Sequence, residues 1–255
     1  MPTPDRLREE AVRWTFFLGI VAAWQVASRN MPTYLVPPPL SVAQDLLHLL
    51  GNSGLRHQVL VTLFHIFVSI GISMALAAMV VGVLRFVPVL TQFIEARMTP
   101  ILNAMPSIGW AILGVIWFGL DTTTVVFAIS AMLFPFNLIN FLQGIRSLNR
   151  DYLEMARSFT DSSLRQFILV GLPMLTPFLF ATLRLNFGVA WKIALTAELL
   201  GGNAGLGYLM NLAMQAQNTT RILTIAFFIV IFVYLIDVWL FDRVQNRFDA
   251  KMRTF

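Results

Sequence analysis

Apolar runs long enough to span a membrane alternate along this chain with short polar connections. They dominate residues 59–83, 101–120, 123–142, 174–199 and 222–241, each near the ~20 residues that a helix needs to cross a bilayer. A sixth run, 14–27, reaches that length when Ala11 and Val12 join it. The pattern predicts an all-α polytopic membrane protein with six transmembrane helices. Pro106 and Gly109 interrupt the run 101–120, and such breaks are tolerated where neighbouring helices or a wet cavity satisfy the freed backbone groups. That helix is therefore expected to face the protein interior.

Two stretches depart from the spanning pattern. Residues 34–50, YLVPPPLSVAQDLLHLL, enter through three prolines, and Ser41 with Gln44 fits a capping box. Val42, Leu46, Leu47 and Leu50 then share one face, which predicts an interfacial helix over 41–50, too short and polar to span. Residues 151–173, DYLEMARSFTDSSLRQFILVGLP, form a polar, helix-forming island between two strongly apolar runs. Tyr152, Ala156 and Phe159 recur at i, i+4 and i+7, and a second apolar set begins at Leu164, Phe167 and Ile168. Between them, Asp161 or the serines can cap a second helix, and Ser163 with Gln166 again fits a capping box. The island reads helix, break, helix, and suits lying on a membrane face where a water-soluble partner can grip it.

Composition agrees. Only 12% of residues are charged, about half the ~25% usual in soluble domains, and 57% are hydrophobic. With no cysteine, disulfides are excluded. His48, His57 and His65 share no ligand spacing, so no metal site is expected. The net charge of +5 points to cytoplasmic loops rather than to nucleic acid. Six spans put both termini on one side, together with Arg6, Arg8, Arg13, Arg85, Arg97, Arg146, Arg150, Arg157, Arg165, Arg243, Arg247, Lys251 and Arg253, leaving Arg29, Arg56 and Arg221 opposite. That asymmetry places the termini and the island in the cytoplasm. Asp5, Glu9 and Glu10, and the lack of a small-x-small site, argue for a retained first helix over a signal peptide. With no repeat and no long linker, residues 1–255 read as a single membrane domain.

The run 174–199 carries three ionisable groups, Arg184, Lys192 and Glu198. A charge at bilayer depth costs roughly 2.5–3.5 kcal/mol even on a lenient insertion scale, so it normally meets a partner or water. At 100° per residue Lys192 falls about 80° from Arg184, and Glu198 about 40° the other way, with Trp191 and Leu195 among them. One inward face is expected, giving a translocation pathway whose Arg184 and Lys192 favour small anions, with Glu198 near its outer mouth. Plainer readings stand beside it: Arg184, or the deeper Lys192, snorkelling to the cytoplasmic side, and Glu198 pairing with a loop group. The glycines at 201, 202, 205 and 207, with Asn203, make a close-packing loop; with no strand before it and no lysine after it, nucleotide binding there is not expected.

Within the island, Glu154-Met155-Ala156, Thr160 six positions after the Glu, and the closing Leu172-Pro173 resemble the cytoplasmic EAA loop of permeases of binding-protein-dependent ABC importers. Pro100, Pro106, Trp110, the run Trp117-Phe118-Gly119-Leu120, Phe134-Pro135, Asn140, Gly144, Ala197-Glu198 and Gly205-Leu206-Gly207-Tyr208 are similar to the nitrate, sulfonate and taurine branch, over residues 36–240. Met155 departs from the usual second alanine, Thr160 from the usual glycine at the joint, and Ile112 from a usual proline. The resemblance implies a type I importer fold and a coupling helix that docks on an ATP-hydrolysing subunit through Glu154, Met155, Ala156, Arg157 and Phe159, with Thr160 and Asp161 at the joint and Leu172 and Pro173 closing the segment 146–173.

It further implies a bacterial inner-membrane permease without catalysis of its own, two copies forming the pathway, two ATP-binding subunits that hold ATP and Mg, and an external solute-binding protein. The chain itself is expected to bind no cofactor. The cargo implied is a small anion of sulfonate, taurine, nitrate or carboxylate type, or else a pyrimidine vitamin precursor or riboflavin-like solute. Two other classes of function compete. An intramembrane enzyme would need clustered nucleophiles, acids or metal ligands, and Glu198, Asp237 and His65 lie on different predicted helices without a motif. An ATP-independent channel or carrier would need no large docking segment.

Overall fold

A computed structural model describes residues 4–84, 86–148, 150–241 and 243. The elements in order are α1 (Pro4–Asn30), α2 (Pro39–Gly51), α3 (Ser53–Leu84), α4 (Pro88–Phe93), α5 (Thr99–Ala104), α6 (Ser107–Phe118), α7 (Thr122–Arg146), α8 (Arg150–Phe159), α9 (Ser163–Gln166), α10 (Leu172–Gly201), α11 (Leu206–Gln215) and α12 (Thr219–Ile236). Wider π turns join α4 to α5 (Ile94–Met98) and α9 to α10 (Phe167–Gly171), and another extends α12 (Asp237–Phe241). The described residues are all-helical. Four helices among them are long and apolar enough to cross a membrane: Ser53–Leu84, Thr122–Arg146, the continuous Ser163–Gly201, and Thr219–Trp239. The bent pair Val89–Ala104 and Ser107–Phe118 makes a fifth if counted as one span. The run 14–27 lies inside a 27-residue α1 that is not among them.

Two of the π turns have the same cause. Ile94–Met98 precedes Pro100, and Phe167–Gly171 precedes Pro173. A proline ring clashes with the carbonyl four residues back and offers no N–H, and the wider turn relieves both problems without ending the helix. At the first, the Thr99 hydroxyl adds a bond of 2.9 Å to the Ile94 carbonyl. At Pro106 relief is not possible. The chain leaves α5, bends by 80° and restarts at Ser107. Gly109 lies inside α6 and is not part of the break. The interior position expected for this segment holds for one stripe only: Ala111 and Gly114 are buried, while Ile108, Ile112 and Ile116 are exposed.

The chain forms two compact units, Met1–His57 with Leu209–Ile231, and Gln58–Tyr208 with Phe232–Phe255. In the first, α2 begins at Pro39, two residues ahead of the predicted start. Ser41 is not its cap; the Ser41 hydroxyl donates back to the Pro38 carbonyl at 2.8 Å. The helix buries Val42 and Leu49, while Leu47 and Leu50 point outward, so the packed face is rotated from the one expected. That face meets α12, where Arg221 pairs with Asp45 at 2.9 Å and the Thr224 hydroxyl donates to the Val42 carbonyl. Trp24 of α1 donates to the Pro37 carbonyl at 3.0 Å and stacks on Phe227.

In the second unit, α3, α7 and α10 share a core. Ala77, Val81 and Leu84 of α3 meet Leu138 and Leu142 of α7. Beside this apolar zone runs a ladder of buried polar groups. Ser69 donates to the carbonyls of His65 and Val126, Ser130 donates to the Ser69 carbonyl, Asn137 donates to the Ser73 hydroxyl at 2.7 Å, and Asn186 donates to Asn137 at 2.6 Å. The small side chains Gly114 and Gly201 both close on Thr124, where a Cβ would lie 3.0 and 2.6 Å from its methyl group. Small residues of this kind let membrane helices approach closely. Replacing Asn137 with Ala strips partners from both Ser73 and Asn186. The expected loss is about 1–2 kcal/mol, measurable as a lower denaturant midpoint in detergent, with Asn140→Ala as a control outside the network.

Candidate functional site: an exposed helix–break–helix and a charged membrane helix

The island adopts the predicted helix, break and helix. Ala156 is buried, whereas Glu154, Arg157 and Asp161 are exposed, and so are Tyr152 and Met155. Phe159 is 81% exposed, far more than an aromatic ring at the end of a packed helix normally is. The break is set by Thr160 and Ser162. The Thr160 hydroxyl accepts from the Ser162 N–H at 3.3 Å, and its carbonyl accepts from the Gln166 side chain at 2.7 Å. The second helix is capped by Ser162, which accepts from the Arg165 N–H. Asp161 is not the cap, and Ser163 with Gln166 does not form the expected box. Gln166 instead pins the joint itself. Among the described residues the one non-glycine with positive φ is Gln217, so Thr160 holds the joint without the left-handed backbone that a glycine would permit. Leu172 and Pro173 do not close the segment. The helix runs through them to Gly201 by way of the π turn.

On α10 the five residues expected on one face divide. Trp191 and Glu198 are buried, Arg184 and Leu195 half-buried, and Lys192 exposed. Trp191 sits among rings, edge-on to Phe187 and Phe232 at 6.0 and 5.5 Å. Arg184 makes a two-pronged pair with Asp237, both bonds 2.8 Å, inside the π turn that ends α12. This geometry is the strong form of an arginine–carboxylate contact.

Glu198 is fully buried. Its carboxylate accepts from His65 Nδ1 at 2.8 Å, from the Thr62 hydroxyl at 3.0 Å and from the Gly207 N–H at 2.8 Å. The other ring nitrogen of His65, Nε2, faces the Thr122 hydroxyl at 3.2 Å. Next to it, the Leu206 N–H donates to Thr62 and the Gly205 N–H to Gln58 at 2.6 Å. Three consecutive backbone N–H groups, of Gly205 and of the first two residues of α11, are thus held by α3 and by Glu198. Glu198 therefore pairs with two side chains of α3 and with the first turn of α11, neither of them the loop group the plainer reading expected, and its carboxyl group is buried. The clasp also brings together His65 and Glu198, which the sequence left on separate helices. A signal was present: Gln58, Thr62, His65, Ser69 and Ser73 form a polar stripe at helical spacing along an apolar helix.

The loop is further tied by Asp121, the N-cap of α7, which accepts from Asn203 at 3.2 Å. Hydrogen bonds from the Thr123 N–H, and then from its hydroxyl, hold the Asp121 carboxyl below the usual carboxylate range.

Residues 68–254 match the family described as binding-protein-dependent transport system inner membrane component. The chain belongs to that family. It is a multi-pass inner-membrane permease. Similar curated proteins include the Escherichia coli protein SsuC, named for aliphatic sulfonates transport, at 28% identity over 80% of this chain and 77% of that one. The taurine transport system permease protein TauC of Escherichia coli is 26% identical over 92% of each chain. A Haemophilus influenzae protein named as an ABC transporter permease is 29% identical over 88% of this chain and 92% of its own.

Two outcomes test the clasp of this permease. At Gly205, with φ of +108°, a Cβ would collide with the Glu198 carboxyl group, whereas at Gly188 it would meet nothing within 4 Å. Gly205→Ala is therefore expected to lower the melting temperature in detergent, and Gly188→Ala to leave it unchanged or raise it. Because the folded Asp121 pKa is lowered, its capping contribution is complete above the ordinary carboxylate pKa and fades only as pH falls through the lowered value. Asp121→Ala is thus expected to melt earlier than wild type at neutral pH, with the gap closing in strong acid.

Proposed function

We propose that this chain is the permease subunit of an ATP-driven importer, with two copies forming the pathway, two ATP-hydrolysing subunits gripping 151–173, and an external binding protein delivering cargo. In this reading the chain is one permease domain with six spans: α1 crosses as the first, the bent α4–α6 segment as the third, and both termini are cytoplasmic. The thirteen-to-three division of basic residues supports that orientation. ATP and Mg reside on the partner subunit.

The observation that carries the proposal is α8. It is a short helix with a nearly bare Phe159, flanked by the charged Glu154 and Arg157, and its base is fixed by buried Ala156 and by the hydrogen-bonded joint at Thr160. A rigidly based helix with an exposed aromatic anchor has the makings of a docking knob. Closure of the ATPase subunits would push on it, and the continuous Ser163–Gly201 helix would carry the displacement into the membrane.

Cargo is read from the relatives' names and from Lys192, Arg184 being paired with Asp237: a small anionic solute of sulfonate or taurine type, nitrate or a carboxylate. Leu195, half-buried beside Lys192, would line the same pathway. Replacing Phe159 with Ala is expected to weaken ATPase binding by at least about tenfold and to abolish uptake, while the permease still inserts and melts normally. Glu154→Lys should act in the same direction. Co-purification of the ATPase, together with uptake into proteoliposomes, reads both; undiminished binding and transport in these variants would remove the assignment.

A further inference from the structure

Among the described residues of the Gln58–Tyr208 and Phe232–Phe255 unit, the His, Lys, Arg, Asp and Glu side chains within the apolar runs 59–83, 123–142, 174–199 and 232–241 pair off, except Lys192. Glu198 is held by His65 and Thr62, and Arg184 by Asp237. The Lys192 side chain has no such partner among the described residues and is exposed. It stands on an open stripe of α10 with Leu185 and Val189, opposite the buried face of Ala190, Trp191 and Ala194.

Its depth follows from the helix. α10 ends at Gly201, beside the exposed, ionised Asp121 and the exposed Asn203, so that end meets water. Lys192 is nine residues inward, about 13.5 Å along the axis, close to the middle of a hydrocarbon layer ~30 Å thick. A lysine stem cannot bring its ammonium from there to either surface, and lipid is a costly neighbour for it. A dry contact with a second copy fares no better. A two-fold axis near this stripe would set Lys192 toward its own mate, and the nearest carboxylates along α10, Glu198 and the Asp237 held by Arg184, are six and eight residues away and already engaged. What remains is water, with a mobile anion as the counter-charge.

We propose that Lys192, contributed once by each of two permease copies, is the residue that selects for anionic cargo in the translocation path. Arg184 is already neutralised by Asp237 and serves to join α10 to the end of α12. The inference rests on the importer reading above and names the group that would give that pathway its charge preference. Each passing anion would sit between two ammonium groups in a partly wet site, where they act as a weak, reversible counter-charge that admits the ion without trapping it.

The chain has no native cysteine, so a single Lys192→Cys variant can be probed cleanly. The importer, complete with ATPase and binding protein, is reconstituted in proteoliposomes, with ethanesulfonate and taurine as probes. Uptake by the variant is expected to fall roughly tenfold or more, the scale of one charge contact in a partly wet site, with ATPase activity kept. Treatment with 2-aminoethyl methanethiosulfonate, which restores an ammonium, should recover transport; the 2-sulfonatoethyl reagent should label the same thiol without recovery. The proposal is overturned if the introduced thiol resists both reagents in every nucleotide state, if Lys192→Cys transports like wild type, or if uncharged methyl methanethiosulfonate rescues equally well. If wild type moves neither probe, the cargo reading above fails instead, and labelling by the two reagents still decides whether position 192 meets the water path.

Discussion

A carboxyl group taken out of water has to be surrounded by hydrogen-bond partners. Glu198 meets that requirement with an imidazole, a hydroxyl and a backbone N–H drawn from two different parts of the chain. Much of the second unit is arranged around this need. Gly205 leaves the room that the carboxyl group occupies, and Gly207 lets the chain close on the α10 backbone at Leu195 and Leu199. The polar stripe of α3 presents its donors at the right heights, and His65 passes the connection on to Thr122 at the start of α7. The clasp fixes the end of α10 against α3 and α7, so α10 moves as a unit with them at that end.

The rule extends down the helices. In hydrocarbon no solvent completes an unfinished hydrogen bond, so polar side chains inside the unit gain by pairing with one another, although Asn103 Oδ1, Trp110 Nε1 and Trp191 Nε1 are buried without a partner among the described residues. The Ser69, Ser73, Ser130, Asn137 and Asn186 ladder does this between α3, α7 and α10, and the Arg184–Asp237 pair does it at the far end of α10. Against this background an exposed lysine with no such partner among the described residues is informative, because the neighbouring charges of α10, Arg184 and Glu198, are both paired.

Rigidity and exposure are divided along one continuous helix. Ser163–Gly201 begins at the joint pinned by Thr160 and Gln166 and ends in the clasp at Glu198. Along its length it carries the π turn before Pro173, which keeps the helix unbroken where a proline would otherwise end it. The exposed α8 thus meets, through the joint at Thr160, the one continuous helix that carries Lys192.

The sequence by itself determined the class of protein, the apolar helices, the helix, break and helix of the island, and the family, because these depend on composition, periodicity and local motif. It also placed the ionisable residues of α10 on the right helix. Where it misjudged, the deciding quantity was a partner far away in the chain. A helical wheel put Arg184, Lys192 and Glu198 on one face because it counts angle alone. Only the tertiary structure separates them, by giving Glu198 to His65, Arg184 to Asp237 and Lys192 to none among the described residues. Capping shows the same limit on a smaller scale. Ser41 and Ser163 fit the box, yet Pro38 and Ser162 begin the helices, since a cap is chosen by the path of the backbone into the helix, which spacing does not encode.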